Sequence, residues 1–266
     1  MPHCAGKWLL KNCFLFLCMM ILLSACTPKP SASKEIDLNS KAKSNIQIVD
    51  AAHYSNFWIW GNISSASYLQ QAKELYILQG EINWNRSRQR SQFIPQGIHI
   101  LKKPAQTIWL VVRSHHLNWT PENIQQVIQR LNQWKNAGNM VQGIQIDFDA
   151  RTKNIHQYAV FLAKFRQHLP SEYRLSITGL LDWTNVQNQS TLALFRQSID
   201  EIAIQTYQDS STIPNYATYL AKVSQLELPY KIGLVQHGYW QAPRHLSTDP
   251  NFKGYIVFLL RKPRST

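Results

Sequence analysis

Eight short runs rich in β-branched and aromatic residues, many followed by an amphipathic stretch, predict an α/β chain folded as a (β/α)8 TIM-type barrel, small and with some degraded helices. Three observations carry this expectation. The runs recur in strand-then-helix order from about residue 50 onward. They are almost continuously apolar, as strands covered on both faces are. The exception, Gly143-Ile144-Gln145-Ile146-Asp147-Phe148-Asp149-Ala150, alternates apolar and polar residues like a strand with one face on a cavity. A doubly wound sheet is the alternative arrangement of the same elements.

In chain order the strand candidates are 56–61, 75–80, 107–113, 143–149, 174–179, 201–207, 230–235 and 254–259. Helical periodicity follows the first at 64–73 and the third at 121–135. That second helix has Thr120 as N-cap, Pro121 at its first position and Gly138 beyond its end. A further helix is expected over 154–168, with Tyr158, Phe161, Leu162 and Phe165 on one face and Pro170 as its stop, and another over 215–226. Three units look degraded: 81–106 holds no clear helix, 237–253 reads as loop, and too little chain follows Leu260 for a last helix. The barrel is expected to be open on one side or small.

The N-terminus follows a different logic. Lys7 and Lys11 precede an apolar run from Cys13 to Leu23, too short to span a bilayer and suited to a secretory signal. The run ends in Leu23-Ser24-Ala25-Cys26, which resembles the bacterial lipobox. That resemblance implies cleavage before Cys26, lipidation of its thiol and, with Thr27 next, sorting to the outer membrane. The expected plan is a signal peptide over 1–25, a lipidated cysteine and flexible Pro/Ser/Lys-rich linker over 26–49, and a barrel over 50–266. All four cysteines lie in the first 26 residues, which leaves none in the body for a disulfide, a thiolate metal site or a nucleophile. The formal charge of +13 suits an anionic surface or polymer. Nothing matches a nucleic-acid module, a phosphate loop, a dinucleotide glycine pattern or a G-x-S-x-G elbow, and no cofactor is expected. His115 and His116 are adjacent and point apart in extended chain, so no metal site is expected either.

Read at period two, 143–150 puts Ile144, Ile146 and Phe148 on one face and Gln145, Asp147 and Asp149 on the other. Barrel active sites lie at the C-terminal strand ends, where these acids fall. Their backbones stand ~7 Å apart, close enough to push their pKa values apart. The competing reading has Asp149 capping the next helix and Asp147 accepting backbone hydrogen bonds. Other candidates at the mouth are Trp60, Glu81, Arg113, His115, Asp182, Trp183, His237, Tyr239 and Trp240, the aromatics as platforms for sugar faces. Glu81 is a rival acid that could pair with Asp149.

Gly143 to Asp149 resembles the G-x-D-x-D-x-E signature of the chitinase family of glycoside hydrolases. Thr206-Tyr207-Gln208 resembles that family's M-x-Y-D, and Lys231-Ile232-Gly233-Leu234 its seventh strand. The resemblance implies that Asp149 stands where the acid protonates the glycosidic oxygen, Asp147 where an aspartate assists the substrate's N-acetyl group, and Tyr207 where a tyrosine holds that group. Asp149 replaces a glutamate, Gln145 an aspartate, Gln208 an aspartate and Phe258 a tryptophan. A closer resemblance, over about 50–260, is to the bacterial domain of unknown function 3142 family, through Gln-Ile-Asp-Phe-Asp-Ala at 145–150 and Leu175-Ser176-Ile177-Thr178. The expectation is an envelope-anchored glycoside hydrolase acting on a polysaccharide, with Asp149 as acid, Asp147 assisting, and Gln145, Tyr207, Gln208, Trp60, Glu81, Asp182, Trp183 and Trp240 as substrate contacts. The alternative is a carbohydrate-binding or scaffolding lipoprotein.

Overall fold

The computed structural model describes residues 46–61 and 67–260, so the signal segment, Cys26, most of the linker, residues 62–66 and the last six residues lie outside the described residues. Eight parallel strands form the barrel: β1 (Asn56–Ile59), β2 (Glu74–Asn85), β3 (Thr107–Ser114), β4 (Met140–Asp147), β5 (Arg174–Leu180), β6 (Glu201–Gln205), β7 (Tyr230–Val235) and β8 (Phe252–Phe258). Each pairs with its sequence neighbours, and β8 returns to β1 through Val257 opposite Phe57 and Phe258 opposite Trp58. The barrel is closed, and each run expected as a strand is one.

The helices are α1 (Ser67–Gln70), α2 (Pro121–Asn136), α3 (Ile155–His168), α4 (Gln189–Ser198) and α5 (Tyr216–Leu220). α2 starts as expected: Thr120 accepts from the Asn123 amide and Asn123 answers to the Thr120 amide, a reciprocal cap with Pro121 at the first position. Gly138, at φ 86°, takes the left-handed position beyond its end. Tyr158, Leu162 and Phe165 of α3 are buried against the barrel, and Phe161 is half-buried beside them. α4 corrects the sequence reading, which left 189–198 without a helix; its buried side includes Thr191 and Ser198, which blunts the apolar stripe. The stretch 81–106 holds no helix, as expected; the strand expected over 75–80 runs on to Asn85 and folds back into an antiparallel strand, Arg90–Pro95.

The barrel interior has three levels. Near the N-terminal strand ends, Lys231 Nζ lies 2.6 Å from Glu74 and 2.9 Å from Glu201, and the Tyr76 hydroxyl donates to Glu201 at 2.7 Å. Above them Trp58, Tyr76 and Trp109 fill the middle, with Tyr76 and Trp109 stacked at 5.7 Å. Gly233 makes room there, since a Cβ would come within 2.7 Å of the Trp58 ring. The third level, at the C-terminal strand ends, is the mouth.

Candidate functional site

Strand register brings the mouth together. Glu81 is level with Arg113 across β2 and β3, and Arg113 with Asp147 across β3 and β4. A register irregularity between Leu78 and Gly80 changes the facing of β2: Gln79 turns outward to accept from Trp134 Nε1 of α2, and Glu81 falls in the same row as Arg113. Thr178 of β5 reaches Asp147 from the other side, its hydroxyl donating to Oδ1 at 2.7 Å.

Asp147 is the chemical centre of this row. It is buried, and burial pushes its carboxyl up to about 6. The Thr178 hydrogen bond pulls the other way by favouring the charged form; Asp149's charge raises the value further, and Arg113 and His115 lower it. Arg113 Nε stands 3.9 Å from Asp147 Oδ2, an ion pair without a hydrogen bond. Its guanidinium carbon lies over the Trp60 ring, 5.3 Å from the centroid. Trp60 meets Phe258 edge-on at 5.4 Å, and Phe258 stacks on Tyr207 at 5.6 Å. The wall of the mouth is therefore aromatic and partly exposed. Burial, and next the charge of Asp147, raises Tyr207's hydroxyl well above the usual phenol range, so it stays a neutral donor.

Asp149 lies two residues past the end of β4 and is exposed. The strand expected over 143–149 spans Met140–Asp147, so the alternation holds for Gln145 and Asp147 and stops short of Asp149. Asp149 is no helix cap: Arg151 and Asn154 occupy the cap positions of the following turns, and neither turn has a side-chain cap. Its charge is felt by Asp147 and Tyr207, and also by Tyr158 of the helical shell. Glu81 lies 3.4 Å from His115 Nε2 and accepts from Asn83 at 3.2 Å. His116 faces Trp84, so the two histidines do diverge.

The remaining sequence candidates are elsewhere or already engaged. Gln145 is fully buried one level down; Trp58 Nε1 donates to its Oε1 at 2.6 Å and its Nε2 donates to Ser176 at 2.9 Å. Trp183 sits in the helical shell, donating to the Ala150 carbonyl at 2.8 Å and packing on Tyr158 and Phe195. Trp240 is buried against Tyr216 and Tyr255. Asp182 accepts from Thr152 and ties together the loops after β4 and β5. Gln208 is exposed in a short ribbon that pairs it with Ser211. Tyr239 is exposed, cross-paired with Ile48. His237, at φ 66°, bonds Val49 through its amide. Sequence reasoning missed Thr178 and Trp58. The period-two reading that turned Asp147 inward would also have turned Ser176 and Thr178 inward.

Among the described residues no group of three or more His, Cys, Asp or Glu side chains could hold a metal ion, and no helix is long and apolar enough to cross a membrane. The site offers a buried carboxyl that keeps its proton into weakly acidic solution, a second and exposed carboxyl group, a guanidinium over a tryptophan ring and an aromatic wall.

Among curated proteins the sequence has no match. Solved structures similar to it include the spore cortex-lytic enzyme SleL of Bacillus cereus, at 16% identity over 67% of this chain and 50% of that one, TM-score 0.45. This chain thus spans half of SleL's length. The chitinase domain of the Clostridium difficile spore coat protein CotE is 12% identical over 74% of this chain and 67% of that one, TM-score 0.45. The tamarind chitinase-like lectin is 11% identical over 77% and 94%, TM-score 0.42. Residues 112–234, which run from β3 into β7 and carry Arg113, Asp147, Asp149, Thr178 and Tyr207, match the family described as Domain of unknown function (DUF3142).

Proposed function

We infer that this chain is an envelope lipoprotein whose barrel mouth takes a sugar of a polysaccharide and hydrolyses its glycosidic bond. The observation that carries the reading is the buried, proton-retaining Asp147 beside the exposed Asp149, under an aromatic wall of Trp60, Tyr207 and Phe258. Partly apolar ring faces stack on sugar faces, and two carboxyls in unlike surroundings divide the tasks of proton donor and charge stabiliser. In this reading Asp149, the reachable one, delivers to the leaving oxygen the proton that its neighbour Asp147 retains in weakly acidic solution. Asp147, fixed by Thr178, orients a neighbouring substituent such as an N-acetyl group as it closes on the sugar carbon. Tyr207's neutral hydroxyl donates to the same substituent.

The test is release of reducing ends from a panel of envelope and capsule glycans by the wild-type chain, Asp149→Asn and Asp147→Asn. Turnover lost by a factor of ~100 or more in both variants supports the reading, since acid catalysis contributes about that much. Equal turnover in all three, or none by wild type at high enzyme, removes hydrolysis. A non-catalytic glycan-binding role is the second reading, favoured by one observation: Asp149 lies beyond the rigid strand, with no hydrogen bond among the described residues to hold it. Anchorage is proposed from the Leu23-Ser24-Ala25-Cys26 segment. Labelled palmitate should enter the wild-type chain and not Cys26→Ser.

A further inference from the structure

Arg113 is held in an unusual way for a half-buried arginine of this chain. Arg166 donates to the Tyr173 carbonyl at 2.9 Å and to Asp200, and Arg196 donates to the Leu226 carbonyl and pairs with Glu227 at 3.0 Å. The Arg113 side chain makes no hydrogen bond to any described residue; its charged partner among them, Asp147, is 3.9 Å away on the Nε side, and 38% of its side chain is exposed. The guanidinium carbon nonetheless lies over the Trp60 ring, 5.3 Å from its centroid. The planar N–H fork of a guanidinium fits the two oxygens of a carboxylate or phosphate. The ion stands at the mouth, and its terminal donors are hydrogen-bonded to no described residue. The chain's +13 charge would draw a polyanion toward it.

We propose that the mouth selects a sugar bearing an oxyacid group, a uronic carboxylate or a phosphate ester, and that Arg113 is the specificity-determining residue that grips it. This rests on the glycan reading of the same site and narrows it to acidic polymers. It also gives the Trp60–Arg113 stack a purpose that balancing Asp147 does not require, because a charge-balancing arginine would close to hydrogen-bond distance.

The experiment is calorimetric binding of the full-length chain, in detergent, to two matched pairs: oligogalacturonate with its methyl ester, and a phosphomannan with its dephosphorylated form. The expected result is that the acidic member of one pair binds about tenfold or more tighter than its neutral partner, as a charge-assisted bidentate contact allows. The preferred pair identifies the source of the acid. That ratio should collapse toward one in Arg113→Gln and survive in part in Arg113→Lys, both checked for folding by circular dichroism. Neutral members binding as tightly as acidic ones in both pairs overturns the proposal and leaves the glycan reading standing; so does an acid preference that Arg113→Gln retains. Failure to bind any of the four, and any neutral glycan beside them, overturns both.

Discussion

The two ends of the barrel carry similar groups in opposite states. At the N-terminal end, Lys231, Glu74, Glu201 and Tyr76 are bonded to one another at 2.6–2.9 Å, and Ser176 relays the network to Gln145 and Trp58. At the C-terminal end, Arg113, Asp147, Glu81 and His115 stand 3.4–3.9 Å from their charged partners. Buried charges are kept only when closely paired. The lower set satisfies this and closes the barrel; the upper set is more exposed and more loosely paired. In this barrel, then, distance separates the closely paired groups of the lower end from the loosely paired ones of the mouth.

The contrast breaks most visibly at Lys231. Lys231→Met should cost about 3–5 kcal/mol in denaturant unfolding, because it leaves Glu201 buried without its cation. Asp147→Asn should act in the reverse sense and depend on pH. A carboxyl whose folded pKa is raised holds its proton longer in the folded than in the unfolded chain. Its favourable contribution is thus complete below pH ~4 and lost as pH rises through about 6. The Asn variant should therefore be more stable than wild type by roughly 3 kcal/mol at pH 8 and show no advantage at pH 4. A parallel pair of pH–stability curves would contradict this. Thr178→Val removes a donor that favours the ionised form, so it should raise Asp147's pKa further and cost about 1–3 kcal/mol at neutral pH, read by carboxyl NMR titration and unfolding. Arg113→Gln should change stability least, by under about 1 kcal/mol, since its ion pair is partly exposed and not hydrogen-bonded.

The fold was readable because barrel strands are apolar on both faces, so β1 to β8 stood out from the polar chain between them. α4 did not, because two of its buried positions are Thr191 and Ser198. The Arg90–Pro95 strand did not either: its partner is the hairpin end of β2, and its sequence is mostly polar. In the site, alternation turned Asp147 inward correctly. It could not reveal that β4 stops there, nor that Gln145, on the same face, lies one level too deep to meet a ligand. Aromatic composition carries no direction: Trp60 reached the mouth, and Trp183 and Trp240 went into the shell. Nor does spacing along one strand record how far apart charged partners on neighbouring strands will settle, which is what distinguishes the two ends.

The most direct test is a crystal structure of the chain with the tightest-binding oligosaccharide of the panels. A sugar ring against Trp60 and Tyr207, with Asp147 and Asp149 turned toward it and the Lys231 network undisturbed, is the result expected here. A sugar seated on the outer helices, or on the N-terminal face of the barrel, would contradict it.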